Sequence, residues 1–123
     1  MQIDIQSRGF SLTDSLLNYS QQRLLFSMSY FSDHINKVIV RLSDINGPRG
    51  GTDKRCHLQL IIAGLPDIVV EDTEADMYAA IDRAMDRARR TVARKLDRQQ
   101  TLLKQSHSFL LEEQQAIIQR KES

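Results

Sequence analysis

The chain has 123 residues, enough for one domain with a buried core and too few for two. Its 41% hydrophobic and 27% charged content is that of a globular protein and excludes disorder throughout. The net charge is only +1, yet residues 83–98 hold seven Lys/Arg against two Asp, a local +5, while the rest carries ten basic and fourteen acidic groups, a balance of −4.

The first element is "QIDIQS", which alternates Ile3 and Ile5 with Gln2, Asp4 and Gln6, the two-residue period of a half-buried strand. Gly9 ends it. "SLTDSLLNYSQQRLLFSMSYF" opens with residues suited to an N-cap and an Asp in the first turn. Leu17, Leu24 and Met28 follow at helical spacing, which predicts helix one from about Asp14 to about Ser29. "NKVIVRLSD" sets Val38, Val40 and Leu42 on one face of a second strand. "INGPRGGTDK" reads as a loop, because it collects three of the five glycines and one of the two prolines. "RCHLQLIIA" and "DIVVED" are a third and fourth strand around a tight "GLP" turn.

Helix two is expected from about Thr73 past Arg98, with Thr73 and Asp76 as a capping box and Glu71, Asp72 and Glu74 favouring its N-terminus. The order β-α-β-β-β-α predicts an α+β fold, a four-stranded mixed sheet with two helices packed on one face. The crossover through helix one makes strands one and two parallel, and the short turns make the others antiparallel. In the tail, Leu103, Leu110 and Ile117 recur every seven residues, with Leu111 and Ile118 alongside. That tail either extends helix two, folds back, or pairs with a partner chain, so the expected division is a domain over 1–105 and a partly helical or mobile tail over 106–123.

At about 100° per residue, Arg83, Arg87, Arg90, Arg94 and Arg98 fall in one stripe of helix two, roughly 22 Å long. Met77, Ile81, Ala88, Val92 and Leu96 lie on the opposite side, and Asp82, Asp86 and Asp97 on the flank between. One reading is a solvated surface helix with Asp/Arg pairs at helical spacing. The other is a surface for a polyanion, since a solvated face usually mixes both signs and arginine's planar fork suits phosphate oxygens.

Other chemistry is sparse. Cys56 has no partner for a disulfide or a Cys-x-x-Cys motif. His34, His57 and His107 lack metal-ligand spacing, and His57 points away from Cys56 on its strand. "GPRGG" lacks the Gly-Lys-Ser/Thr of a phosphate loop, although Arg49, Lys54 and Arg55 there could supply supplementary phosphate contacts. No nucleophile, base and orienting group assemble. The expectation is a non-enzyme with no cofactor, no metal and no small-molecule substrate. No apolar run approaches the roughly 20 residues that span a bilayer. "MQIDIQSRGF" lacks the order of a signal peptide, so no membrane partner and a cytoplasmic location are expected.

The segment "EADMYAAIDRAMDR", supported by "MQIDIQSRGF", "LTDSLLNY" and "YFSDHINKVIVRL", resembles the short ribosome hibernation factors. This is the family of hibernation-promoting factor and ribosome-associated inhibitor A, also called ribosomal subunit interface protein. The resemblance covers about residues 1–105. It implies a double-stranded-RNA-binding-like fold that docks on the small ribosomal subunit and its 16S-type rRNA and stops translation under stress. Carried over by position, Arg83, Arg87, Arg90, Arg94, Lys95 and Arg98 on helix two and Arg23 on helix one would be RNA-binding. The chain departs from the family on helix one. There Leu17, Gln22, Phe26 and Ser29 stand where the family carries basic residues. An alternative is therefore a diverged paralogue that acts as a protein-interaction module through helix one and the apolar tail, with self-association through that tail.

Overall fold

The structure, a computed structural model, describes residues 1–45 and 53–102 with their side chains and residues 103–122 as helical backbone. In chain order the elements are β1 (Gln2–Arg8), α1 (Asp14–Met28), a short 3-10 turn (Ser29–Phe31), β2 (Ile35–Asp44), β3 (Lys54–Ile62), β4 (Ile68–Glu74) and α2 (Met77–Glu122). The chain divides into two compact units, Met1–Val92 and Ala93–Ser123. The first holds the sheet, α1 and the start of α2; the second is helical.

The sheet order is β1-β2-β3-β4, with β1 parallel to β2 and the other pairs antiparallel. Register follows from side-chain parity. Val40 pairs with Leu58 and Leu58 with Val70, which puts the even-numbered apolar residues of three strands on one face. Val38, Val40, Leu42, Cys56, Leu58, Leu60, Ile62, Ile68 and Val70 are all buried there. The intervening Lys37, Ile39, Arg41, Arg55, His57 and Gln59 are not, so one face is covered and the other is left open. Ile35 has the wrong parity for the core yet is buried, because the register slips between Ile35 and Lys37 and re-aims it.

The buried side chains of the helices answer that face. Leu24 and Met28 come from α1, and Met77, Ala80, Ile81, Ala84, Met85, Ala88 and Val92 from the first turns of α2. Fully burying one Leu or Ile removes enough apolar surface from water to stabilise by about 1.5–3 kcal/mol. Buried small residues, Ser20 and Ser27 on α1 and the three alanines on α2, leave little side chain between helix and sheet.

Local signals set the element ends. Thr13 caps α1, its Oγ1 accepting from the Leu16 amide at 3.2 Å and its carbonyl from Leu17 at 2.9 Å. Gly9 turns the chain off β1 at φ 84°, where a Cβ would meet the Asp44 carbonyl oxygen at 2.9 Å. Gly64, at φ 77°, takes the left-handed position of the β3–β4 turn closed by the Leu65 amide on the Ile62 carbonyl.

One boundary corrects the sequence expectation. Thr73 is not a helix cap: Thr73 and Glu74 belong to β4, paired with Arg55 and Lys54. The first intrahelical bond of α2 runs from the Ala80 amide to the Asp76 carbonyl at 3.0 Å, so Asp76 is the half-in residue. Polar and acidic residues ahead of a helix read alike whether they cap it or end a strand. Here the unpaired edge of β3 claimed them. The helix continues to Glu122; the side chains of Leu103, Leu110 and Ile117, whose heptad spacing suggested pairing, lie outside the described residues.

Candidate nucleic-acid interface

In the first unit, burial of the Met77–Val92 face of α2 leaves Arg83, Asp86, Arg87, Arg89 and Arg90 exposed. They do not form a purely cationic ridge in space. Arg83 Nη1 lies 3.1 Å from Glu74 Oε1. Arg87 Nη1 donates to the Glu71 carbonyl at 2.8 Å, with Nη2 3.8 Å from Asp72 Oδ2. The acids that seemed suited to capping α2 are instead strand residues that tie it to β4. Both arginines stay more than half exposed, so these pairs hold position and contribute little energy each.

Arg90 differs. Its Nε reaches only the Asp86 carbonyl, at 3.4 Å, and no carboxylate among the described residues pairs with it. Arg89 is likewise exposed and unpaired among the described residues. The sequence reading missed Arg89 because the helical wheel placed it beside the acidic flank, and Asp86 three residues earlier gave it an apparent partner that the structure does not pair with it.

Arg23, the basic residue of α1, turns inward to that acidic flank. Its Nε lies 2.9 Å from Asp82 Oδ1 and its Nη2 3.7 Å from Asp86 Oδ1. Tyr19 donates its hydroxyl to the same Asp82 carboxylate and meets Tyr78 edge-on at 4.9 Å between ring centres. The hydrogen bond to Asp82, first, and burial, second, raise the Tyr19 pKa. Arg23 thus joins the two helices, and much of its charge is neutralised where it stands. The solvent side of α1 presents Leu25, Phe26 and, just beyond, Tyr30, the last two 77% and 88% exposed.

The second unit carries Arg94, Lys95 and Arg98, all exposed and none in an ion pair among the described residues. Leu96 between them is buried, as its helical spacing predicted.

The supplementary candidates separate. Lys54 Nζ sits between Asp44 Oδ2 (2.9 Å) and Asp53 Oδ1 (3.3 Å), and the hydrogen bond to Asp44 leads the effects that raise its pKa. A lysine gripped by two carboxylates is poorly placed to hold phosphate. Arg55 Nε lies 2.7 Å from Glu71 Oε1 on the open face of the sheet. Arg49 lies outside the described residues.

Cys56 is buried in the core, where desolvation, and secondarily Asp72, push its thiol pKa up to about 12. His57 is directed to the opposite face, its Nδ1 3.3 Å from Glu71 Oε2. Among the described residues no three His, Cys, Asp or Glu side chains are grouped to hold a metal ion, and no helix is long and apolar enough to cross a membrane.

Residues 3–100 match the family model described as sigma 54 modulation protein / S30EA ribosomal protein. No functionally curated protein matches the chain. Among solved structures, the N-terminal domain of Protein Y from Thermus thermophilus is 32% identical, covering 76% of this chain and 98% of that one with a TM-score of 0.63. A ribosomal subunit interface protein from Coxiella burnetii is 15% identical, covers 79% of this chain and 99% of that one, and has a TM-score of 0.67; at that identity the likeness is one of fold. The chain therefore belongs to the family of sigma 54 modulation proteins and S30EA ribosomal proteins, the hibernation-factor family that its helix-two signature resembles.

Proposed function

We propose that the chain is a non-catalytic, ribosome-binding inhibitor of translation that acts in the cytoplasm and docks on small-subunit rRNA through α2. Arg90, Arg94, Lys95 and Arg98 carry the phosphate contacts, with Arg89 added to the set. Arg83 and Arg87 serve first to hold α2 on β4 and contribute charge from that position. Arg23 is a minor member, because Asp82 and Asp86 already neutralise it.

The observation that carries this reading is the family match over 3–100 together with exposed, unpaired arginines on the helix that bears the family's signature. The chemistry agrees. Structured RNA offers phosphate oxygens in irregular grooves, which arginine forks engage without reading base edges. The test is inhibition of a reconstituted translation reaction by the purified protein. Product falls as the protein approaches stoichiometry with ribosomes; full synthesis at a large excess of protein contradicts the proposal.

A second reading rests on α1. Its outer side is apolar at Leu25 and Phe26, with Tyr30 of the following 3-10 turn beside them, a surface suited to a protein contact rather than to phosphate. On that reading the chain is a protein-interaction module that self-associates through α1 and the tail. Light scattering on the full chain and on a form truncated after Gln105 separates the two. A dimer that truncation turns into a monomer favours the second reading, and a monomer throughout removes it.

A further inference from the structure

The open face of the sheet carries charge that the proposed rRNA contacts leave unused. Register sets it out in two adjacent rows. Gln6, Arg41, His57 and Glu71 stand side by side across the four strands, and Arg8, Ser43, Arg55 and Thr73 form the next row. At about 4.8 Å between strands and about 6.8 Å between same-face neighbours, four basic residues from β1, β2 and β3 stand within roughly 12 Å of one another. They line a solvent-open cleft of about 460 Å³ whose other walls are Gln6, Ser43 and the backbone beside them.

The charges there do not cancel. Glu71 takes both Arg55 and His57, at 2.7 and 3.3 Å. Arg8 and Arg41 make no ion pair among the described residues. Two unpaired arginines on neighbouring strands, with a third held upright by a carboxylate, form a seat for a polyanion. Ser43 beside them can donate its hydroxyl to the same oxygens, as can the second amide N–H of Gln6, whose first is given to Asp4 Oδ2 at 2.8 Å.

We propose that this cleft is a second RNA-binding surface, in which Arg8 and Arg41 clamp the phosphates of a single strand and Arg55 and His57 wall its far side. The arginine fork is matched to the phosphodiester, and the cleft is open to solvent. The choice of RNA rests on the proposed ribosomal function, whereas the cleft itself rests only on the sheet register and the unpaired charges. The protein would then meet RNA on its sheet face as well as along α2.

The test uses a labelled, unstructured single-stranded RNA and fluorescence anisotropy across a salt series. Wild type is compared with R8Q/R41Q and with R90E/R94E/R98E, each verified as folded by circular dichroism. Loss of two single-strand phosphate contacts lowers the slope of log affinity against log salt by about 1.4, and the helix variant retains salt-sensitive binding that R8Q/R41Q removes when the two are combined. Identical slopes and affinities for wild type and R8Q/R41Q overturn the proposal, as does the absence of RNA binding by wild type. Displacement of the RNA by polyglutamate at equal charge concentration overturns it in favour of an acidic protein segment. Failure of the ribosomal function would show separately, as wild type that binds this RNA but does not inhibit translation.

Discussion

Tyr19 and Asp82 show how one half-buried contact sets both geometry and titration. The neutral phenol donates to the carboxylate, so ionising Tyr19 costs the bond and its folded pKa rises above the ordinary 10.0. A group whose pKa is raised on folding stabilises fully below its unfolded value and loses that contribution as pH rises through the folded value. Tyr19→Phe is therefore less stable than wild type at neutral pH, and the gap narrows as pH climbs past about 10. Urea unfolding of both proteins from pH 7 to 11 checks this. Cys56 gives a second residue-level expectation. With its thiol pushed up to about 12 and its side chain fully buried, the native protein resists a thiol reagent at pH 8 and reacts at once in denaturant. Fast native labelling would mean that β3 does not bury Cys56 in the core. Among the arginines, Arg23→Gln should reduce RNA affinity less than Arg90→Gln, since only the latter removes an unpaired charge.

At the scale of elements, the strands were legible because one covered face imposes strict alternation, as in Val38, Val40, Leu42 and again in Cys56, Leu58, Leu60. Leu58 sits at the centre of that face, paired with both Val40 and Val70. Leu58→Ala should cost about 2–5 kcal/mol, read as a lower urea midpoint at unchanged slope. Helix one was legible from its cap and spacing, and its end was blurred by a serine-rich run that closes into the 3-10 turn. The start of α2 was misplaced because composition cannot tell a strand's acidic end from a helix's acidic beginning. Pairing with β3 decides it, and pairing is a property of space. The same limit applies to the ridge. The wheel grouped Arg83 and Arg87 with Arg90 correctly by angle, but their partners Glu74, Asp72 and the Glu71 carbonyl come from β4. Arg8 and Arg41 shared a strand parity that was readable, yet only the parallel register of β1 on β2 brings them together.

For the whole molecule, charge distribution matters more than total charge. A chain of net +1 places several of its acids beside arginines at the helix–sheet and helix–helix seams and, among the described residues, leaves other arginines outside any ion pair. Free cations attract a polyanion and steer its approach, while paired ones fix the scaffold that presents them. Family membership and the β-α-β-β-β-α sheet arrangement agree with that division of labour. We propose that α2 delivers this protein to the small ribosomal subunit by phosphate contacts. Cosedimentation of the full chain with isolated small subunits, at salt from 50 to 400 mM, tests it most directly. Wild type should pellet with subunits at low salt and release steeply as salt rises. R90E/R94E/R98E should remain in the supernatant while keeping the wild-type urea midpoint. Wild type that never pellets, or a charge-reversed variant that pellets as wild type does, contradicts the account.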